Sequence, residues 1–148
     1  TYRTVRVRTC DWYLQRAASA SGHGDNGVAE HATDSDDLSS ALSKISNASA
    51  ADDVADEFTL LANCCRRPAT YNLGMAELRL MLKGLKANDE VTQWQALRAL
   101  ANFCEGSSQR QANMRNLLST NTSVFGSLAS ENEAIVQKAA FFACNLCS

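Results

Sequence analysis

Apolar residues in this chain recur at helical spacing, in blocks separated by acidic or asparagine-containing turns. Leu38, Leu42 and Ile45 fall on one side of a helix that Ser35-Asp36-Asp37 would cap. Val54, Phe58, Leu61 and Cys65 share a face behind Asp52 and Asp53. Pro68 sets the end of that helix, because the residue before a proline disfavours helical geometry. Leu78, Met81, Leu82 and Leu85 mark a third helix that stops at Lys86-Ala87-Asn88-Asp89. Asp89 and Glu90 then stand at the positive end of a fourth, running from about Val91 to Cys104. Val124, Phe125 and Leu128 form another, and after the acidic turn Ser130 to Glu133 a long apolar helix runs from Ile135 to Cys147. The pattern predicts an all-α chain from about residue 36 onward.

Upstream the pattern changes. Residues 1–9 alternate in a strand-like way, with Val5 and Val7 against Arg6 and Arg8, and Trp12-Tyr13-Leu14 follow as an apolar cluster. Ser19 to Gly27 reads as a flexible linker, rich in residues that leave the unfolded chain much entropy to lose. Between Ser21 and Glu57 nine acids face one base, Lys44. The expected organisation is an N-terminal arm and acidic linker over 1–34, followed by a helical domain over 35–148.

Three helix ends share a motif: Leu61-Ala62-Asn63-Cys64-Cys65, Leu100-Ala101-Asn102-Phe103-Cys104 and Ala143-Cys144-Asn145-Leu146-Cys147. In each, an asparagine precedes a cysteine by two residues, and the asparagines lie 39 and then 43 positions apart. Helical repeats stack at such intervals. In this motif, in Asn88 through Cys104 and in Glu131 through Cys147, the chain resembles the armadillo-repeat family over roughly residues 52–148.

The resemblance implies an armadillo-type right-handed helical repeat solenoid of about two and a half repeats, with an irregular N-terminal arm and with third helices lining a concave face. It implies a module that binds partner proteins and catalyses nothing. In importin-like members the matching asparagine bonds the backbone of an extended peptide, four residues after a tryptophan. Here the asparagines are Asn63, Asn102 and Asn145, and the tryptophan position holds Thr59, Arg98 and Phe141. These six are the expected partner-binding residues. A primary amide offers both a donor and an acceptor, so it matches any main chain; the same amide can instead bridge neighbouring repeats. Two other roles stand beside this one. Nucleotide exchange factors of the seventy-kilodalton heat-shock chaperone are also short armadillo proteins, and Val136 to Phe142 is similar to one of their helices. A structural subunit of a large organellar assembly would make use of the basic arm with Arg3, Arg6, Arg8 and Arg16.

Charge and composition narrow the chemistry. A net charge of −2 excludes a chain-wide field for nucleic acid. The longest apolar run, Ala139 to Cys144, falls far short of the roughly 20 residues a membrane span needs. Of six cysteines, Cys64, Cys104, Cys144 and Cys147 are set within helical patterns and read as free, buried thiols of an intracellular protein, cytoplasmic in the simplest case and organellar if the arginine-rich start is an address. Cys64, Cys104 and Cys144 are expected to be buried and reduced. No cofactor, metal or small-molecule substrate is expected: the cysteines lack paired zinc spacing, His23 and His31 sit in the acidic linker, and no phosphate-binding glycine loop occurs. Trp94 is expected to anchor the core. Val136, Phe142 and Leu146 are expected to form a terminal edge that needs cover.

Overall fold

The computed structural model describes residues 30–66, 73–121 and 123–148. All regular structure among them is helical: α1 (Glu30–Asn47), α2 (Ala55–Cys65), α3 (Met75–Gly84), α4 (Glu90–Cys104), α5 (Ser108–Leu118), α6 (Ser123–Leu128) and α7 (Glu133–Cys147). The expected arm, the Ser19–Gly27 linker, His23 and Pro68 lie outside the described residues.

Local chemistry explains most boundaries. Asp89 opens α4 by accepting from Val91 N at 3.3 Å and from Thr92 N at 2.8 Å. Asn132 opens α7 in the same way, accepting from Ala134 N at 3.0 Å. At α3 the N-cap is Gly74, and Glu77 reaches back to accept from its N–H at 2.8 Å, half of a capping box. Just past α4, Gly106 takes φ 68°, a left-handed turn position that L side chains rarely adopt.

Two elements differ from expectation. α1 is already helical at Glu30, the first described residue, ahead of the expected cap and across the expected 34/35 boundary. Acids favour the positive end of a helix, so the acidic stretch read as linker runs on into helix. α5 has no counterpart in the sequence reading. Its sequence, Ser-Gln-Arg-Gln-Ala-Asn-Met-Arg-Asn-Leu-Leu, is largely polar, and only Gln111, Met114 and Leu117 are buried. An apolar stripe that narrow leaves almost no periodic signal.

α2, α4 and α7 form one packed layer with α4 in the middle, while α1 and α3 pack against α2 and α4, and α6 against α7. Every residue of α4 from Gln95 to Cys104 is buried, the polar Gln95, Arg98 and Asn102 included, as befits the middle helix of the layer. α3 comes very close at Gly84, where an added Cβ would lie 2.5 Å from Phe58 Cζ and 2.7 Å from Ala96 Cβ. On α7, Ile135, Ala139 and Phe142 point into the core.

The terminal edge therefore differs from the expected one. Phe142 is 0% exposed, and Leu146 packs partly against the core. The side left open is a different stripe of α7, comprising Ala140, Phe141, Cys144 and Cys147. Cys64 and Cys104 are buried and unbridged as expected, as is the neighbouring Cys65, whereas Cys144 and Cys147, also expected to be buried, are exposed. The reason is position in the stack: α7 covers the cysteine-bearing side of α4, and no described helix covers that side of α7.

Candidate partner-binding face

The last four carbonyls of a helix have no helical donor, and here side chains from neighbouring elements supply one. Asn102 Nδ2 donates to Ala62 O, in the last turn of α2, at 2.9 Å. Asn145 Nδ2 donates to Ala101 O, in the last turn of α4, at 3.1 Å. The recurring asparagine thus ties each helix of the layer to the one before it. Related contacts close other ends: Lys83 Nζ reaches Ile45 O at 3.0 Å and Ser46 O at 2.8 Å. From α5, Gln111 Nε2 donates to Cys104 O at 3.2 Å and Asn145 O at 2.8 Å, and Arg115 Nη1 to Leu146 O at 2.7 Å. Among the described residues no buried side-chain nitrogen or oxygen lacks a partner.

Asn63, first in the row, is exposed. Its Oδ1 accepts from Arg98 Nη2 at 2.7 Å, while Arg98 Nη1 donates to Gln95 Oε1 at 3.2 Å. Thr59 is spent locally, its hydroxyl donating to Ala55 O at 2.8 Å within α2. Phe141 is 48% exposed. Beside it Lys138 Nζ sits 5.4 Å from the Phe141 ring centroid and 4.9 Å from that of Trp94, close enough to both for a cation–π contact. Trp94 is half-buried rather than a core anchor.

Burial pushes the Lys138 ammonium below the ordinary lysine range, and the positive charges of Arg98 and Arg66 push it the same way. Three cations from α7, α4 and the end of α2 therefore share one field, on a face that also carries two aromatic rings. The structure brings Asn63, Arg98 and Phe141 to this face, through Lys138 and Trp94. It turns the amides of Asn102 and Asn145 toward the preceding helix and Thr59 toward its own. Sequence reasoning passed over Lys138 and did not group it with Arg66 and Arg98. The signal that finds Lys138 is alignment on the asparagine, which sets it in the same register as Gln95 and Asp56.

Among the described residues no group of three or more His, Cys, Asp or Glu could hold a metal ion, and no helix is long and apolar enough to cross a membrane. No family model, no curated protein and no solved structure matches this chain. The functional reading rests on the geometry above.

Proposed function

We propose that the chain is a protein-interaction module of the armadillo type, acting by binding rather than by catalysis. In this reading the layer of α2, α4 and α7 is the concave surface of a short right-handed helical repeat, and an extended, acidic segment of a partner protein lies across it. One observation carries the reading: Lys138 stands between the Trp94 and Phe141 rings, in the common field of Arg98 and Arg66. Cations held among aromatic rings are partly dehydrated, so a carboxylate meets them at lower cost than it meets a fully hydrated lysine. Asn63, at the edge of the face, adds an amide able to reach a bound main chain.

The amides of Asn102 and Asn145 give this reading a division of labour. They hold the helices in register, and of the residues one turn earlier Phe141 meets the partner, while Arg98, buried and bonded to Asn63 and Gln95, positions Asn63.

The test is fluorescence anisotropy with a labelled Glu/Asp-rich decapeptide and a Lys-rich counterpart, at low and high salt. The acidic peptide should bind, more weakly as salt rises, and Lys138→Glu and Trp94→Ala should each weaken binding about tenfold without changing the far-ultraviolet circular dichroism. Equal binding of both peptides, or indifference to both substitutions, would remove this face from consideration.

A further inference from the structure

Cations and aromatic rings alternate across the layer. Lys138 Nζ of α7 stands 4.9 Å from the Trp94 ring centroid of α4, and one helical turn further along each helix come Phe141 and Arg98. Arg98 Nη2 in turn reaches Asn63 Oδ1 of α2 at 2.7 Å. Arg66 follows Asn63 by three residues in helical geometry, on the same side of the end of α2. Three positive charges thus lie along one line from α7 to the end of α2. The charged groups that act on the Lys138 ammonium are Arg98 and Arg66, and both repel it. Acids in the first turns of α4 and α7 are engaged with amides instead: Glu90 Oε2 accepts from Asn132 Nδ2 at 2.7 Å, and Glu133 Oε1 from Gln137 Nε2 at 3.0 Å.

The three cations differ in what they can touch. Arg98 is 9% exposed and bonded to Gln95 and Asn63, so it contributes charge rather than contact. Arg66 is exposed and Lys138 half-buried, and these two are open to a ligand. A side-chain carboxylate brings a single charge to such a line. A phosphate monoester brings about −1.5 to −2 and three acceptor oxygens, enough to bridge Arg66 and Lys138 and to offset the buried Arg98 between them. The phosphodiester of a nucleic-acid backbone, with one charge per phosphate, matches less well.

We infer that the acidic segment bound on this face carries a phosphorylated hydroxyl side chain, whose phosphate monoester is held between Arg66 and Lys138. This inference rests on the acidic-segment reading and specifies the residue at the centre of that segment. Asn63 sets where the segment runs: its Oδ1 is taken by Arg98, which leaves Nδ2 for the segment's main chain, one turn from Arg66. The aromatic rings of Trp94 and Phe141 keep Lys138 partly dehydrated, so its hydrogen bond to a phosphate oxygen displaces little water.

The experiment measures fluorescence anisotropy of the 148-residue chain with a labelled Glu/Asp-rich decapeptide that has one central serine, unphosphorylated and phosphorylated, and with a labelled single-stranded decanucleotide. Phosphorylation should tighten binding about tenfold at fixed salt. Arg66→Gln should abolish most of that gain, whereas Lys86→Gln, which removes the same charge from an exposed position after α3, should preserve it. Circular dichroism checks that both variants fold. If the unphosphorylated peptide binds and phosphorylation adds nothing, the inference falls and the acidic-segment reading stands. If neither peptide binds, both fall. Equal loss of the gain in Arg66→Gln and Lys86→Gln would overturn the inference by reducing it to net charge, and a decanucleotide bound as tightly as the phosphorylated peptide would overturn it in favour of nucleic acid.

Discussion

The amide of Asn102 gives the sharpest test of how this layer is held together. Replacing Asn102 with alanine removes the donor to Ala62 O, which lies in the last turn of α2 where no helical N–H can reach it. Asn102 is 8% exposed and Ala62 is 0% exposed, so water does not readily take the place of the lost donor. A buried carbonyl left without a partner costs about 1–3 kcal/mol. For a domain of this size that corresponds to a fall in melting temperature of about 3–6 °C per kcal/mol. Asn145→Ala breaks the same kind of bond at a half-buried position, where water partly compensates, and should cost about 1 kcal/mol or less. Asn63→Ala breaks only an exposed contact with Arg98 and should cost no more than about 0.5 kcal/mol. Urea denaturation of the three single mutants gives the ranking directly. If Asn63→Ala proves as damaging as Asn102→Ala, or if Asn102→Ala unfolds with the wild-type midpoint, the stapling argument is wrong.

Three more outcomes follow from the packing and the titration of single groups. Gly84→Ala should destabilise by about 1–3 kcal/mol in urea, because the new methyl meets Phe58 and Ala96 at distances that force core side chains to shift. In the native protein Cys144 and Cys147 should react readily with a thiol reagent, while Cys64, Cys65 and Cys104 should react only on unfolding. Burial pushes the Cys65 thiol up to about 12 and the Cys104 thiol to about 11, so neither supplies much thiolate near neutrality. At Asp89 burial raises the carboxyl pKa, but hydrogen bonds from Thr92 and Val91 outweigh it and leave the pKa lowered. Its stabilising contribution is therefore present above the ordinary carboxylate range and is lost as pH falls through the folded-state value. Asp89→Ala should cost about 0.5–2 kcal/mol at pH 7 and correspondingly less at pH 2.5, measured by thermal unfolding at both.

How much of this was legible in the sequence depends on where each signal resides. The starts of α4 and α7 are written locally, in Asp89 and Asn132, and both were placed within two residues. The asparagine motif was equally visible, but its acceptors were not, because a main-chain carbonyl leaves no mark on the residue that carries it. Ala62 and Ala101 would serve equally well as almost any residue. The two fates of one motif make the same point: Cys104 and Cys147 follow their asparagines at the same distance, yet one is buried and the other exposed. Burial there is decided by the presence of a covering helix, a fact of tertiary arrangement. α5 was missed because its partners are helix ends: Gln111 and Arg115 serve carbonyls of α4 and α7, and polar residues used in this way resemble solvent-facing ones. Lys138 was passed over for a similar reason, since its aromatic neighbours come from its own helix and from one more than forty residues away.

Both asparagine ties lie at the same end of the helices they join, in the last turns of α2, α4 and α7. A slip of one residue along a helix axis displaces an amide by about 1.5 Å, enough to lose its carbonyl. At the other end, α4 and α7 are linked through an exposed side-chain pair, Asn132 Nδ2 to Glu90 Oε2 at 2.7 Å. The layer is bound like pages along a spine. Axial sliding would break both amide ties at once, whereas spreading of the N-terminal ends is opposed by the exposed Asn132–Glu90 pair and the Lys138–Trp94 contact. The order of the residues that line the face is thus held by buried bonds, and its width by exposed ones.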